Sequence, residues 1–347
     1  MKNPAAAVVP LPFWAPVIRL LFKSVAHKAL QRGNMRHRRP GVLLALALLF
    51  TGMVAAQAPT VSPAPATKVI AFAQDTLKND FRQAQVNEVR QAVALDPALS
   101  FVYSDAQGKT SLLIHHIEQF IAQKVDVLVL GTNDEQAVVP VVRKAYQAGI
   151  PVIVLDRGIK GQDYSTFINS DNFQIGAMAA EFIARQLKGQ GQVLLFEGLQ
   201  SADVTQLRSR GFLEVMARFP GITVIKRTGN YLRKDALVEM DKLLAQGIRP
   251  VAIFAESDSM LSGVRVALQS HKIDLKSIVM VGCDYIREAR QAIRSGEQTA
   301  SVLFPLGGLK AVEIAQKLLS KAPVPRHVVI PVQLVTRDIV ARVEPIF

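Results

Sequence analysis

The sequence predicts an α/β protein built from two similar lobes, each with an open, parallel, Rossmann-like sheet. From residue 68 onward, short apolar segments rich in β-branched residues alternate with helix-length amphipathic segments, and this alternation occurs twice. Several short segments are apolar at successive positions, which is typical of parallel strands covered on both faces. The length of 347 residues also favours two domains. An eight-unit barrel would require uniform units, so two open sheets in tandem are preferred.

The predicted elements follow one another in strand–helix order, and a polar stretch at residues 167–171 separates the two halves. The predicted strands are Val69–Ala73, Phe101–Ser104, Val125–Leu130, Pro151–Leu155, Gln192–Phe196, Ile222–Lys226, Val251–Ala255 and Ile278–Gly282. The predicted helices carry apolar residues at i, i+3 and i+4 spacing and are Arg82–Leu95, Ser111–Gln123, Glu135–Ala148, Phe173–Leu187, Val204–Phe219, Lys234–Ala245, Met260–Ser270 and Tyr285–Ser295.

The chain has a formal net charge of +13, but the basic excess is concentrated near the N-terminus. Residues 1–56 contain eight basic groups and no Asp or Glu, which leaves 33 of the 41 basic groups against 28 acidic ones. That balance is ordinary for a soluble surface and argues against a nucleic-acid partner. The single cysteine, Cys283, excludes an internal disulfide and a cysteine-based zinc site, and the six histidines lack metal-ligand spacing. We therefore expect neither a metal nor a cofactor.

Residues 1–56 are predicted to be a leader that directs export to the periplasm. The basic segment Arg36–Arg39 precedes the apolar stretch 41–55, and small residues at 54 and 56 allow cleavage between Ala56 and Gln57. A retained membrane anchor is the alternative, although the apolar stretch is short for a spanning helix.

This signal begins about 35 residues into the chain, whereas such signals usually begin near the N-terminus. We therefore hypothesise that Met35 is the true start and that residues 1–34 are a mis-called extension. Residues 57–67, rich in proline and alanine, are predicted to be a spacer.

Polar and aromatic side chains follow the predicted strands, where ligands bind in open α/β sheets. They include Asn79, Phe81, Arg82, Asp156, Arg157, Tyr231, Ser257 and Asp284, with Arg208 early in a helix. Carboxylates and planar guanidinium groups bind adjacent hydroxyls, and aromatic faces cover the C–H side of a sugar ring. No nucleophile elbow, phosphate loop or dinucleotide loop accompanies them, so an enzyme is not expected.

Each of these residues also has a structural alternative. Asp156 and Arg157 have the sequence of an ordinary surface pair in a turn. Phe81 would serve as a core aromatic, Tyr231 would lie on an exposed loop, and Asp284 would cap the next helix. The site is predicted from their joint placement at strand ends.

The sequence resembles the ribose/galactose type of periplasmic sugar-binding protein, which has the type I periplasmic binding protein fold. The resemblance covers about Lys68 to Val340 and rests on segments spread along both halves. These segments are Asn79–Phe81, Pro151–Arg157, Ile168–Asn172, Arg208–Phe212, Phe254–Met260, Val281–Asp284, Ala300–Val302 and Ile330–Leu334, the last two resembling hinge-region strands. The implied lobes are residues 68–170 with 304–331, and 171–303 with 332–347, joined by a multi-strand hinge.

The resemblance implies a role for each matched position. Asn79 and Phe81 would touch a sugar from the first lobe, Asp156 and Arg157 would bind adjacent hydroxyls, Arg208 and Asp284 would reach from the second lobe, and Tyr231 would stack on the ring. Departures from the ribose pattern are Arg82 for an aromatic residue, Ser257 for Asn, Cys283 for an aromatic residue and Phe304 for a hydrogen-bonding Gln. These departures make ribose itself a doubtful ligand.

The function implied by this resemblance is capture of a monosaccharide or related polyol by hinge closure, followed by delivery to the permease of an ABC importer. The chain is expected to be a monomer. The alternative is a periplasmic subunit that signals to a sensor kinase or chemoreceptor ectodomain. A sugar-responsive repressor shares the fold, but it would need an N-terminal helix-turn-helix where the chain has an apolar export segment.

N-terminal sequencing of the exported protein is expected to find Gln57 first, because cleavage after Ala56 leaves small residues on the leader side. Ala56→Arg should leave the chain unprocessed. Peptides from residues 1–34 would show that translation does not start at Met35.

Overall fold

The computed structural model describes residues 67–347, so the predicted leader and most of the spacer lie outside the described residues. The strands are β1 Lys68–Gln74, β2 Leu99–Asp105, β3 Val127–Gly131, β4 Val152–Leu155, β5 Thr166–Asn169, β6 Gln190–Glu197, β7 Gly221–Thr228, β8 Ala252–Ala255, β9 Val279–Asp284, β10 Ala300–Leu303, β11 His327–Val329 and β12 Gln333–Thr336. The helices are α1 Asp80–Val93, α2 Thr110–Ala122, α3 Val139–Gln147, α4 Asn172–Gln186, α5 Asp203–Met216, α6 Arg233–Ala245, α7 Asp258–Ser270, α8 Arg287–Ser295 and α9 Gly308–Leu319.

The strands form two six-stranded sheets, one in each lobe. The first sheet has the order β11-β5-β4-β3-β1-β2 and is parallel throughout. The second has the order β12-β10-β9-β8-β6-β7 and is parallel except for the antiparallel pair β10–β12. The predicted fold class is therefore confirmed. The lobe limits at residues 170, 303 and 331 stay a prediction.

Both faces of each sheet are covered by helices, as the continuous apolar strands predicted. In β6, for example, Leu194 packs into a core with α6 and α7, whereas the next residue, Leu195, packs into a core with α4 and α5. The first sheet has equivalent cores under α2 and α3 and under α1 and α9. Among the described residues, no helix is both long and apolar enough to cross a membrane.

Three elements lie outside both the predicted set and the hinge-region strands of the resemblance. Strand β5 overlaps the predicted polar separator at residues 167–171, and its strand signal is weak because its burial alternates and only part of it is apolar. Strand β11 is only three residues long, and helix α9 was not identified. Helix α3 begins four residues later than predicted, because Asp134 Oδ1 accepts the N–H groups of Gln136 and Ala137 in a turn.

Helices α4 and α5 pack closely because each has a glycine at the crossing. A Cβ atom at Gly176 on α4 would lie 1.9 Å from the carbonyl oxygen of Arg208 on α5. A Cβ atom at Gly211 on α5 would lie 2.1 Å from the carbonyl oxygen of Phe173. Because both obstacles are backbone atoms, neither can move away without shifting a helix.

Gly176→Ala is expected to lower the free energy of unfolding by about 1–3 kcal/mol, because the added methyl group overpacks this crossing. Urea denaturation measures the loss. Gly161→Ala is the control, since its Cβ would meet only side-chain methyl carbons, those of Val139 at 3.2 and 3.6 Å and that of Ile159 at 3.7 Å. Equal stability of the two variants would contradict the prediction.

Candidate functional site

The carboxyl ends of the strands in both lobes face a small cavity of about 30 Å³. All ten residues predicted to form the site line this cavity: Asn79, Phe81, Arg82, Asp156, Arg157, Arg208, Tyr231, Ser257, Asp284 and Phe304. Val204 and Ser259 line it as well, and sequence reasoning missed both. Both lie on helices. That the ten residues bind a ligand remains a prediction.

Buried charges are paired at and behind the cavity wall. Arg157 Nη1 donates to Asp75 Oδ2 at 3.0 Å, and Arg82 Nε lies 3.6 Å from Asp75 Oδ1. Arg82 Nη1 also pairs with Asp156 Oδ2 at 2.8 Å. These four side chains are at most 7% exposed, so the surface-pair alternative for Asp156 and Arg157 is wrong. The partner that explains their burial, Asp75, was not assigned to the site from the sequence.

This network makes the first lobe's side of the cavity electrically balanced. Two guanidinium groups, Arg82 and Arg157, face two carboxylates, Asp75 and Asp156. Burial and the neighbouring Arg82 cation lower the pKa of the Arg157 guanidinium from its ordinary value, while Asp75 opposes that change.

Arg208 is held from the second lobe by neutral groups. Its Nε donates to Asn172 Oδ1 at 2.8 Å, and its Nη1 donates to the carbonyl oxygen of Glu256 at 2.6 Å. Its guanidinium carbon lies 4.6 Å from the centre of the Phe304 ring. Asp284, also in the wall, is buried, and desolvation raises its pKa well above the ordinary value.

The aromatic side chains form two parts of the wall. The rings of Phe81 and Phe304 are stacked, with centres 5.1 Å apart and planes 17° apart. Phe81 also packs against a small apolar core, so its binding and core interpretations are compatible. Tyr231 is buried with the Arg157 guanidinium 5.6 Å from its ring centre, so the exposed-loop alternative for Tyr231 is wrong.

Three residues of the wall have backbone angles that are unusual for side chains other than glycine. Asp156, Tyr231 and Asp284 have φ values of 70°, 58° and 101°. Such conformations cost free energy and cluster at functional sites. Asp284 does not cap the next helix, because α8 begins at Arg287 with Ile286 at the cap position. The capping alternative for Asp284 is therefore wrong.

Some lining residues also hold the local backbone. Asn79 and Ser257 cap α1 and α7, each accepting from the backbone N–H three residues later, at 2.8 Å and 3.2 Å. Asp258 lies just behind the wall and accepts from Tyr285 N, Ser301 Oγ and Gln298 Nε2 at 2.7, 2.5 and 2.8 Å. Burial raises the pKa of Asp258 to about 6.

Buried polar atoms without a protein partner lie on residues of the cavity wall. Within the described part of the chain, Arg82 Nη2, Arg157 Nε and Asp156 Oδ1 have no hydrogen-bond partner. Leaving such groups unpaired is costly, so the arrangement favours a polar ligand. Across residues 67–347 no group of three or more His, Cys, Asp or Glu side chains is placed to hold a metal ion.

The fold and the cavity together define a two-lobed binding protein. The periplasmic binding protein domain family matches residues 70–323, a segment of 254 residues. The chain therefore belongs to this family, and the resemblance seen in the sequence is confirmed.

Three relatives illustrate the match. The chain is 29% identical over 270 residues to the ribose import binding protein of Bacillus subtilis, covering 77% of this chain and 87% of that protein. It superposes with a TM-score of 0.75 and 26% identity on a Mycobacterium smegmatis protein in complex with β-D-fucofuranose, covering 79% and 93% of the chains. It superposes with a TM-score of 0.74 and 27% identity on a fructose-binding periplasmic domain of a hybrid two-component system, covering 79% and 92%. The first and third of these relatives are named as sugar-binding proteins.

Asp75→Ala is expected to lower the free energy of unfolding by about 3–5 kcal/mol, because it leaves two buried guanidinium groups short of a carboxylate. Chemical denaturation at neutral pH measures this loss. The control is Glu118→Ala, which breaks an exposed pair with Lys144 and should cost at most about 1 kcal/mol. Parental stability in Asp75→Ala would refute the assignment of Asp75 as the common partner.

Proposed function

We propose that this chain is an exported solute-binding protein that captures a monosaccharide or related polyol between its lobes and delivers it to an ABC-type sugar importer. The observation that carries the proposal is the set of unpaired polar atoms on Arg82, Arg157 and Asp156 in a cavity that both lobes line. A hydroxyl group both donates and accepts, so neighbouring hydroxyls satisfy guanidinium and carboxylate groups together.

The first lobe's side of the cavity favours an uncharged ligand. There the carboxylates of Asp75 and Asp156 already balance the guanidinium groups of Arg82 and Arg157, so a charged group on the ligand would leave an unpaired charge in a desolvated place. A sugar or cyclic polyol supplies polar contacts without net charge.

Among neutral ligands, another pentose, a hexose or a cyclic polyol is favoured over ribose. Arg82 is committed to ion pairs with Asp75 and Asp156, so it does not stack on a sugar as an aromatic residue would. Phe304 lies against Phe81 and offers no hydrogen bond to a hydroxyl. Sites that pair each hydroxyl reject ligands whose hydroxyls differ in position.

Closure of the lobes around the ligand is supported by hydrogen bonds between them. Gly158 N, near the first sheet, donates to Asp203 Oδ2 on α5 at 2.8 Å. Asp80 on α1 accepts from Ser259 Oγ at 2.8 Å and from Arg233 Nη2 at 3.1 Å. Separating the lobes would break these contacts, and a ligand that bridges the lobes would favour their retention.

The closed form would then present both lobes to a membrane permease, with the monomer in the periplasm as the unit that docks. A sensing role is the second candidate, because one similar structure is a fructose-binding domain of a hybrid two-component system. Neighbouring genes distinguish the two: a permease with an ATPase supports import, and a kinase supports sensing.

A thermal-shift screen tests the ligand class, with D-ribose, D-galactose, D-fructose, myo-inositol and a set of amino acids as probes. A ligand at 100 times its dissociation constant adds about 2.7 kcal/mol of stability. Asp156→Ala and Arg157→Ala should each weaken binding of the positive probe by about 2–5 kcal/mol, measured by calorimetry.

Arg210→Ala is the matched control, because Arg210 is exposed on the same helix as Arg208 and pairs only with Glu214 there. Its affinity should equal that of the parent. Tight binding of an amino acid with no response to any sugar or polyol would refute the proposal, and parental affinity in both cavity variants would move the site elsewhere.

A further inference from the structure

A serine hydroxyl lies between two buried carboxyl groups behind the cavity wall. Ser209 Oγ is 2.8 Å from Glu197 Oε1 and also 2.8 Å from Glu256 Oε1. A serine hydroxyl has one hydrogen, so it donates to only one of these oxygens. The second contact is a hydrogen bond only if the other carboxyl group donates a proton to Ser209 Oγ. One of the two carboxyl groups must therefore be protonated for both contacts to be satisfied.

The remaining contacts identify the protonated group. Lys226 Nζ lies 3.0 Å from Glu197 Oε1, so that oxygen already accepts from an ammonium group and is a natural acceptor for Ser209. Glu256 Oε2 accepts the backbone N–H of Gly198 at 2.8 Å. This leaves Glu256 Oε1 to carry the proton. Glu256 Oε1 then donates its proton to Ser209 Oγ, and Ser209 Oγ donates its own hydrogen to Glu197 Oε1.

The charged and titratable groups around Glu256 come from several elements. Glu197 at the end of β6 and burial disfavour ionisation of Glu256, whereas Arg208 on α5 favours it. Lys226 on β7 contacts Glu197 and not Glu256. Tyr231, in the loop after β7, has its hydroxyl 3.4 Å from Glu256 Oε2. Desolvation by burial dominates and raises the pKa of Glu256 to about 7.

Glu256 is linked to the cavity indirectly, by its contacts with Gly198 and with Tyr231, which lines the cavity. A Cβ atom at Gly198 would lie 1.9 Å from Tyr231 Cζ, so the backbone of this turn packs directly on the tyrosine ring. The Tyr231 hydroxyl is 2.8 Å from Thr205 Oγ1 as well as near Glu256. The Glu256 carboxyl group therefore contacts both the Gly198 turn, which packs on the Tyr231 ring, and the Tyr231 hydroxyl.

We infer that Glu256 is a positioning residue: as a neutral acid it fixes the Gly198 turn and so holds Tyr231 in the cavity wall. Ionisation of Glu256 would place two carboxylates on the one Ser209 hydroxyl, and their repulsion would displace the Glu256 carboxyl group together with the turn bound to it. Ligand affinity should then fall as the pH rises above neutral. This last step rests on the proposed function, whereas the location of the proton does not.

Glu256→Gln tests the location of the proton without any ligand, because the amide has nearly the same shape and keeps a donor group beside an acceptor oxygen. The infrared difference spectrum between parent and variant at about pH 6 should contain the carbonyl stretch of a protonated carboxyl group, and this band should be lost by about pH 9. The band's absence at about pH 6 would overturn the inference.

The stability profile gives a second readout with a definite sign. A group whose pKa is raised on folding binds a proton in the folded state after the unfolded state has lost it. Stability of the parent should therefore fall as the pH rises from about 4.5 to about 7. Glu256→Gln should make this fall smaller, and the part that remains belongs to other buried acids with raised pKa values, such as Asp258. Asp258→Asn is the control, since it should remove only the change associated with a pKa of about 6.

Positioning is tested on Tyr231 itself. In protein with isotopically labelled tyrosine, the ring signal of Tyr231, assigned with Tyr231→Phe, should shift with pH through neutral in the parent and stay constant in Glu256→Gln. For the panel sugar or polyol that binds, the parent's dissociation constant should rise up to about tenfold for each pH unit above the pKa. In Glu256→Gln it should stay flat.

A Tyr231 signal or an affinity that follows pH equally in parent and variant would refute the positioning role. If no panel compound binds, the proposed function fails, and the infrared and tyrosine measurements still decide whether Glu256 holds the proton and supports the ring.

Discussion

The charge arrangement of the cavity depends on Asp75. This carboxylate is buried directly after the first strand and contacts both Arg82 and Arg157. Parallel strands bring their carboxyl ends to one edge, so polar groups from distant parts of the chain meet there with little water. Each buried charge then needs a partner of opposite sign. Asp75 satisfies two of them and leaves Asp156 free to pair with Arg82 and to present an unpaired oxygen.

The two lobes solve the same problem differently. The first uses ion pairs, whereas the second holds Arg208 with an amide and a backbone carbonyl and keeps Glu256 and Glu197 behind the wall around one hydroxyl. Neutral acids cost less to bury than ionised ones. The first lobe's side of the wall is held by ion pairs, and by our inference the second lobe's side is held by hydrogen bonds that need a proton on Glu256.

Much of the fold was predictable because β-branched apolar segments mark buried parallel strands, as in β3 and β8. Strand β5 was not, because its partly exposed residues give a weaker signal. In the site, Asp156 and Arg157 were predicted from their position directly after a strand. Their ion-pair partners could not be predicted in this way, since Arg82 and Asp156 are 74 positions apart and only the fold brings them together. The positive φ values of Asp156, Tyr231 and Asp284 could not be predicted either, because these residue types do not indicate such a backbone conformation.

The glycine crossing of α4 and α5 has a consequence for protein engineering. Because the backbone at Arg208 is pressed against Gly176, the origin of that side chain is set by a helix that contributes no side chain to the cavity. A library of variants at cavity residues would change the side chains that contact a ligand while the packing of α4 on α5 stays the same. A library at positions 176 and 211 would change that packing, and with it the position of the Arg208 backbone.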